Sequence, residues 1–177
     1  MTYETEPKKE EFKTHDDSLL NFKKVLENCL KLFTPPPRLT VSEWADRFRK
    51  LSPEASAESG TWRTSRAEYQ RGIMDVATDP RVKNVVFMSS AQVGKTEILN
   101  NVCGYFIDQN PKPILFLQPT LEMAEAWSKD RFNPMVRDTE VLSNKIGDSR
   151  LKSSGNTLLH KIFAGGHITI AGANSPS

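Results

Sequence analysis

Long apolar runs are missing from this sequence: nothing in it approaches the roughly 20 consecutive apolar residues of a membrane-spanning helix, and no membrane partner is expected. Also missing is an excess of one charge. Lys and Arg number 24 against 22 Asp and Glu, for a net charge of +2. A protein gripping a phosphate backbone over its whole surface would be more basic; contact through a small part of the surface stays compatible with this balance. Cysteine is scarce. Cys29 and Cys103 lie far apart in unlike segments, which excludes a disulfide framework and predicts two reduced core thiols of a cytosolic protein. Of the three histidines, His15, His160 and His167, none has metal-ligand spacing with Cys, Asp or Glu; His160 and His167 flank a turn and are expected as a surface pair. The opening Met1–Lys9 lacks the apolar centre of a signal peptide. What remains is an ordinary globular composition, 37% hydrophobic and 26% charged, in 177 residues, enough for one domain with appendages and a real core.

Residues Met1–Thr14 are polar and of mixed charge, and read as disordered. Phe22, Val25, Leu26, Cys29, Leu30 and Phe33 then recur at helical steps, predicting a first helix over Asp16–Phe33 with one apolar stripe. That stripe either docks a partner or packs on its own domain. Pro35-Pro36-Pro37 stops the helix and separates residues 1–37 from residues 38–177. Thr40-Val41-Ser42-Glu43 has capping-box spacing and opens a second helix with Trp44, Ala45 and Phe48 on its apolar face. Ser52–Gly60 reads as a loop. Ser65-Arg66-Ala67-Glu68 has the same capping spacing and predicts a third helix closing near Asp79-Pro80. Arg47, Arg49, Lys50, Arg63, Arg66 and Arg71 are spread through these helices with acids between them, as a solvated face or a DNA-facing patch.

The pattern then changes. Val85–Met88 and Ile114–Leu117 are short continuous apolar runs, predicting buried parallel strands. Helices over Glu97–Asp108 and Leu121–Val136 follow them in turn, and this alternation predicts an α/β parallel sheet with a right-handed crossover. Thr157–Phe163 and His167–Ala171, joined by Ala164-Gly165-Gly166, predict a β-hairpin.

Between the first run and its helix lies Ser89-Ser90-Ala91-Gln92-Val93-Gly94-Lys95-Thr96, which matches the phosphate-loop pattern except that Ser89 stands where glycine is usual. Each residue type has a physical reason. Gly94 lets main-chain N–H groups approach phosphates closely, and the helix that follows presents the positive end of its dipole. The Lys95 ammonium suits the β- and γ-phosphates of ATP, and the Thr96 hydroxyl is the expected Mg²⁺ ligand.

Val86-Phe87-Met88-Ser89-Ser90-Ala91-Gln92-Val93-Gly94-Lys95-Thr96-Glu97 resembles the Walker A segment of phage terminase large subunits, the lambda-like GpA family, in which a serine-led loop with glutamine two residues before the glycine is favoured. Trp62-Arg63-Thr64-Ser65, Tyr69–Asp75, Gln118-Pro119-Thr120 and Ile168–Pro176 extend the resemblance over about Ser42 to the C-terminus. The resemblance implies an additional-strand, helicase- and terminase-like P-loop NTPase with a parallel sheet, preceded by N-terminal helices, that uses ATP and Mg²⁺ to drive double-stranded DNA into a procapsid. It implies a small terminase subunit, met by the N-terminal segment, and the procapsid portal as partners. It also implies a homo-oligomer in the assembled motor and a place in the host cytoplasm, phage or prophage encoded. By the same resemblance Gln70 takes the adenine-reading position, since an amide both donates and accepts. Tyr69 either stacks on the base or fills the core. Gln118-Pro119-Thr120 either couples nucleotide state to DNA or is a plain helix cap at Thr120.

A P-loop ATPase also needs an acid on a neighbouring strand. Neither Ile114–Leu117 nor Ile168–Ala171 ends in one, and Tyr105-Phe106-Ile107-Asp108 falls on a helix. The resemblance places the Asp-Glu strand just after the segment matching Gly172–Pro176. The expectation is therefore a sheet cut short before its Walker B strand, and either a motor fragment or a catalytically inactive remnant kept for nucleotide binding or partner docking. Arg81 and Arg131 are candidates for the arginine that stabilises γ-phosphate charge, as is an arginine of a neighbouring subunit.

Overall fold

The structure, a computed structural model, describes residues 15–33, 38–56, 58–147 and 155–174. The chain falls into two compact units, Met1–Pro37 and Arg38–Ser177. The expected disorder of Met1–Thr14, the triple-proline break and the final Ser175-Pro176 lie outside the described residues.

In the first unit, α1 runs His15–Phe33. Leu19, Leu20, Phe22, Val25, Leu26 and Leu30 are all exposed. Cys29 is exposed too, against the expectation of a core thiol. The reason is local: α1 is the one element among the described residues of its unit, so nothing there covers the stripe.

The second unit begins with α2, Val41–Phe48. Its capping box forms as the spacing predicts: Thr40 Oγ1 accepts from the Glu43 amide at 3.4 Å and the Glu43 carboxylate accepts from the Thr40 amide at 2.8 Å. Two-residue strands β1, Lys50–Leu51, and β2, Gly60–Thr61, pair antiparallel around the predicted loop. The second capping box does not form. Thr64–Ala67 is a tight 3₁₀ turn, Glu68 is already helical, and its carboxylate binds Arg71 instead of reaching back. α3 therefore starts late, Tyr69–Asp75, without a side-chain cap, and a further 3₁₀ turn, Val76–Thr78, closes it.

α4, Lys95–Asp108, is the central helix. Trp44 of α2 lies flat against it at Gly104, where a methyl group would come 2.3 Å from the Trp44 ring. The Trp44 indole N–H donates to Asp108 at 2.9 Å, pinning the far end of the same contact. α2 is tied to α3 by the Ser42 amide and hydroxyl, each donating to the Asp75 carboxylate at 2.8 Å.

β3, Ile114–Gln118, is followed by α5, Leu121–Trp127, a π-helical turn Ser128–Phe132, and α6, Asn133–Asp138. The short α7, Glu140–Ser143, completes the crossover. β4, His160–Phe163, and β5, Gly166–Gly172, form the predicted hairpin. The sheet order is β3-β5-β4: β5 runs parallel to β3, with Phe116 opposite Ile170, and antiparallel to β4. The sheet is thus mixed, where the alternation predicts a parallel one. His160 and His167 come within 5.3 Å, ring centre to ring centre, both half-buried, with His160 Nδ1 on the Thr169 hydroxyl.

Two strand expectations change. Residues 85–88 form no strand and are unpaired among the described residues, and Val86 and Met88 are 91% and 94% exposed. Phe87, half-buried, lines a cavity of about 300 Å³ together with Val85, Ile73, Ala77, Ile98 and Val102. No described strand offers this segment its main-chain partners, so an apolar run alone does not become a buried strand. β3 is paired but covered on one face. Phe116 stacks on Trp127 with ring centres 3.6 Å apart, while Leu115 and Leu117 on the other face are exposed.

Candidate functional site

The octapeptide Ser89–Thr96 follows segment 85–88 and enters α4 at Lys95. Two residues of the loop are left-handed: Gln92 at φ 58° and Gly94 at φ 79°. Gly94 is fixed as glycine twice over, by that φ and by space. A methyl group there would lie 2.5 Å from Gln70 Nε2. The Lys95 ammonium folds back over the loop and donates to the Ser90 carbonyl at 2.9 Å and the Ser89 carbonyl at 3.3 Å. Ser90, Ala91, Gln92, Lys95 and Thr96 are exposed, while Ser89, Val93 and Gly94 are half-buried.

Helix α3 holds the loop from the side. The Tyr69 hydroxyl donates to the Val93 carbonyl at 2.9 Å and the Gln70 side-chain N–H donates to the same oxygen at 3.2 Å. Gln70 is buried at 3% exposure, and its side-chain carbonyl Oε1 is enclosed without a partner. Tyr69 is 57% exposed, so the core reading of this residue is not the one the structure gives. The two residues upstream and the eight of the loop, set apart by more than a dozen positions in the chain, therefore meet in one place.

These residues fit a nucleoside triphosphate. The left-handed glycine opens the main chain at the mouth of a 14-residue helix, where amide groups and the helix dipole favour an anion. The ammonium of Lys95 is held over the same loop by nothing stronger than two of its carbonyls. An orphaned acceptor, Gln70 Oε1, and an exposed aromatic ring, Tyr69, lie beside it.

Directly behind the loop is an ion pair that spacing along the chain does not reveal. Arg49, buried at 3% exposure, donates to Glu97 of the first turn of α4 at 2.9 Å, and its other N–H reaches the Lys50 carbonyl. Burial pulls the Arg49 guanidinium below its ordinary range and the Glu97 carboxylate opposes that shift. The two residues are 48 positions apart, and an acid in a first helical turn is common enough to carry no signal. Arg49 is accordingly not part of a solvated face. Of its neighbours in that expectation, Arg66 pairs with Glu58, Arg71 with Glu68, and Lys50 with the Thr61 hydroxyl at 2.6 Å.

Other candidates are engaged elsewhere. Arg81 is bound twice by the Asp79 carboxylate, and Arg131 donates to the Ala55 carbonyl. Asp108 is held by Trp44, Gln109 and Lys145. Thr120 accepts from the Met123 amide at 3.2 Å as the cap of α5, and the Gln118 carbonyl accepts from Ala173 at 2.7 Å. Among the described residues no helix is long and apolar enough to cross a membrane.

Comparison with known proteins gives the same direction. The chain is 34% identical over 142 residues to the terminase large subunit of Enterobacteria phage P21, covering 80% of this chain and 22% of that protein. It is 33% identical over 135 residues to the terminase large subunit of Escherichia phage lambda, covering 76% of this chain and 21% of that protein. It thus spans about a fifth of the length of these curated relatives. No solved structure matches. Residues 56–177 match the family model described as phage terminase large subunit gpA, ATPase domain, a stretch that takes in all of α3, the loop, α4 and the sheet, and the chain belongs to that family.

Proposed function

We propose that this chain is the nucleotide-binding portion of a viral DNA-packaging terminase large subunit, taking ATP and Mg²⁺ at the Ser89–Thr96 loop in the service of moving double-stranded DNA into a procapsid. The observation that carries the reading is the cradle itself: a left-handed Gly94 at the mouth of α4, with the Lys95 ammonium folded over the loop. Lys95 would hold the β- and γ-phosphates, and the Thr96 hydroxyl would hold Mg²⁺, which when bound neutralises phosphate charge. The main-chain amides of Ser90–Gly94 would serve as donors to the phosphates. Gln70 Oε1, an acceptor without a donor, would suit the amino group of adenine once that enclosed oxygen turns out to the ligand, and the exposed Tyr69 ring suits its face. The chain's place among terminase large subunits supports an additional-strand P-loop fold, and a small subunit, the portal and further copies of the same subunit as its partners.

The deciding experiment is equilibrium binding of ADP and of a non-hydrolysable ATP analogue, with Mg²⁺, to the chain and to Lys95→Ala. Binding that Lys95→Ala weakens at least tenfold is expected, since a charge-assisted contact to phosphate is worth roughly 1.5–3 kcal/mol. Equal binding by both proteins refutes the assignment. Phosphate release by the chain alone is expected to be negligible, because among the described residues neither β3 nor β5 ends in an acid, and Glu97 is already held by Arg49. Steady release that Lys95→Ala abolishes would overturn that part. A second reading, a docking module that binds nucleotide without hydrolysis, is favoured by the exposed apolar residues of α1; retention of the small terminase subunit by residues 1–37 fused to a carrier protein tests it.

A further inference from the structure

The Glu97 carboxylate is divided between two neighbours. One oxygen takes the Arg49 guanidinium at 2.9 Å, and the other accepts from the Asn100 side-chain N–H at 3.3 Å. Asn100 is fully buried, and its carbonyl accepts the Trp127 indole N–H at 3.1 Å. Trp127, itself buried, stacks flat on Phe116 of β3, 3.6 Å and 8° apart. A continuous polar line therefore runs through the core from the end of α2, across the first turn of α4, to α5, and ends on the sheet.

The line is poorly explained as a stabilising device. A buried ion pair seldom repays its desolvation when an apolar pair of similar size could stand there, and Arg49 Nε is left buried without a partner. An exposed acid would serve the dipole of α4 equally well. What the line does supply is a fixed connection. Asn100 uses both ends of its amide, so it cannot turn over without losing both contacts. Glu97 follows Lys95 and Thr96 directly, so a displacement of the first turn either breaks a bond in this line or moves Trp127. α5, which carries Trp127, starts at the Thr120 cap just past Gln118.

We infer that Glu97 is a positioning residue that sets the first turn of α4 against Arg49 and passes the occupancy of the loop through Asn100 to Trp127, and so to β3 and α5. The inference rests on the nucleotide reading of the loop. Its substance is an energetic link between two places in the fold, carried by named hydrogen bonds.

The test is nuclear magnetic resonance of the full ¹⁵N-labelled chain, titrated with ADP and Mg²⁺. The chain has three tryptophans, and Trp127→Phe assigns the Trp127 indole N–H by its disappearance. Shifts of the Gly94 and Lys95 amides report the loop; a shift of the Trp127 indole at the same midpoint reports the link. In Glu97→Gln the loop amides are expected to respond still, at a nucleotide concentration about tenfold higher, with the Trp127 indole unmoved. Should Glu97→Gln not fold, Asn100→Ala keeps the ion pair and removes both the donor to Glu97 and the acceptor of the indole; it is expected to lose the indole response and keep the loop response. Loop amides that shift while the wild-type indole stays still overturn the inference and leave the nucleotide reading intact. An indole that still responds in the variant overturns it too. If neither loop nor indole responds, the nucleotide reading fails and the inference falls with it.

Discussion

Replacing Gly94 by alanine separates two reasons for glycine, and a second substitution measures each. At φ 79° alanine costs about 1–2 kcal/mol for the left-handed backbone alone. Its methyl group would also lie 2.5 Å from Gln70 Nε2, and crowding of a packed interior adds about 1–3 kcal/mol. Gln70 has little room to retreat, being 3% exposed with its N–H committed to Val93. Gly94→Ala is thus expected to lose about 2–5 kcal/mol. Gln70→Ala removes the hydrogen bonds to the Val93 carbonyl and the Tyr69 hydroxyl while that hydroxyl keeps the Val93 carbonyl satisfied, and costs about 1–2 kcal/mol. In the double variant the backbone cost stays and the crowding goes, so its loss should fall short of the sum of the singles by about 1–3 kcal/mol. Urea unfolding of the four proteins, with stability taken from midpoint and slope, gives the coupling directly. Additivity within about 0.5 kcal/mol would mean that Gln70 does not press on the loop.

Burial raises the Asp108 carboxyl, but hydrogen bonds from Lys145, Gln109 and Trp44 outweigh it and leave the group below the usual carboxylate range. A group depressed in the fold stabilises above its unfolded value of about 3.9 and loses that stabilisation as pH falls through its folded value. Urea midpoints should therefore decline below about pH 4, and Asp108→Asn should flatten that limb; an unchanged limb argues against the Lys145 contact. Burial pushes the Cys103 thiol up to about 12, while Cys29 is exposed, so a thiol reagent at pH 8 should label one cysteine in the native chain and two in urea. Two fast labels in the native state would show that α4 is not packed as described. Thr40→Ala removes the hydroxyl half of the capping box at α2 and should cost about 1 kcal/mol, read by the same unfolding assay; no loss would mean the cap is frayed in solution.

Local chemistry was legible where a short stretch decides its own conformation. Thr40 and Glu43 cap α2, Thr120 caps α5, and the Ala164-Gly165 turn makes the β4–β5 hairpin, because each needs only neighbours within a few positions. The turn at Gly94 into α4 is local in the same way, as is the placement of Asp108 on that helix. Ser65 and Glu68 have the same spacing as Thr40 and Glu43, yet Arg71 wins the Glu68 carboxylate, so spacing alone did not decide between a cap and an i,i+3 ion pair. Burial was the least legible property. Val85–Met88 is as apolar as Ile114–Leu117, but one stretch has a paired neighbour and the other has none among the described residues, and no local pattern encodes that difference. Contacts between distant positions were equally hidden: Arg49 reads as a surface cation until the chain folds and lays it against Glu97.

The position of the loop follows from those hidden contacts. In a P-loop domain the strand before the loop is expected to fix where the phosphates sit, yet residues 85–88 here make no sheet hydrogen bonds among the described residues. The loop is instead clamped from two other sides. Tyr69 and Gln70 of α3 both donate to the Val93 carbonyl, setting the turn into Gly94. Arg49 takes Glu97, and the Trp44 ring lies against α4 at Gly104 with its indole on Asp108, setting the helix below. α2 and α3 are in turn joined through Ser42 and Asp75. The helices ahead of the loop therefore form its platform. The family match, residues 56–177, takes in α3 with Tyr69 and Gln70 and begins after α2 and Arg49. A phosphate loop so held can keep its shape before any strand pairs with the segment that leads into it.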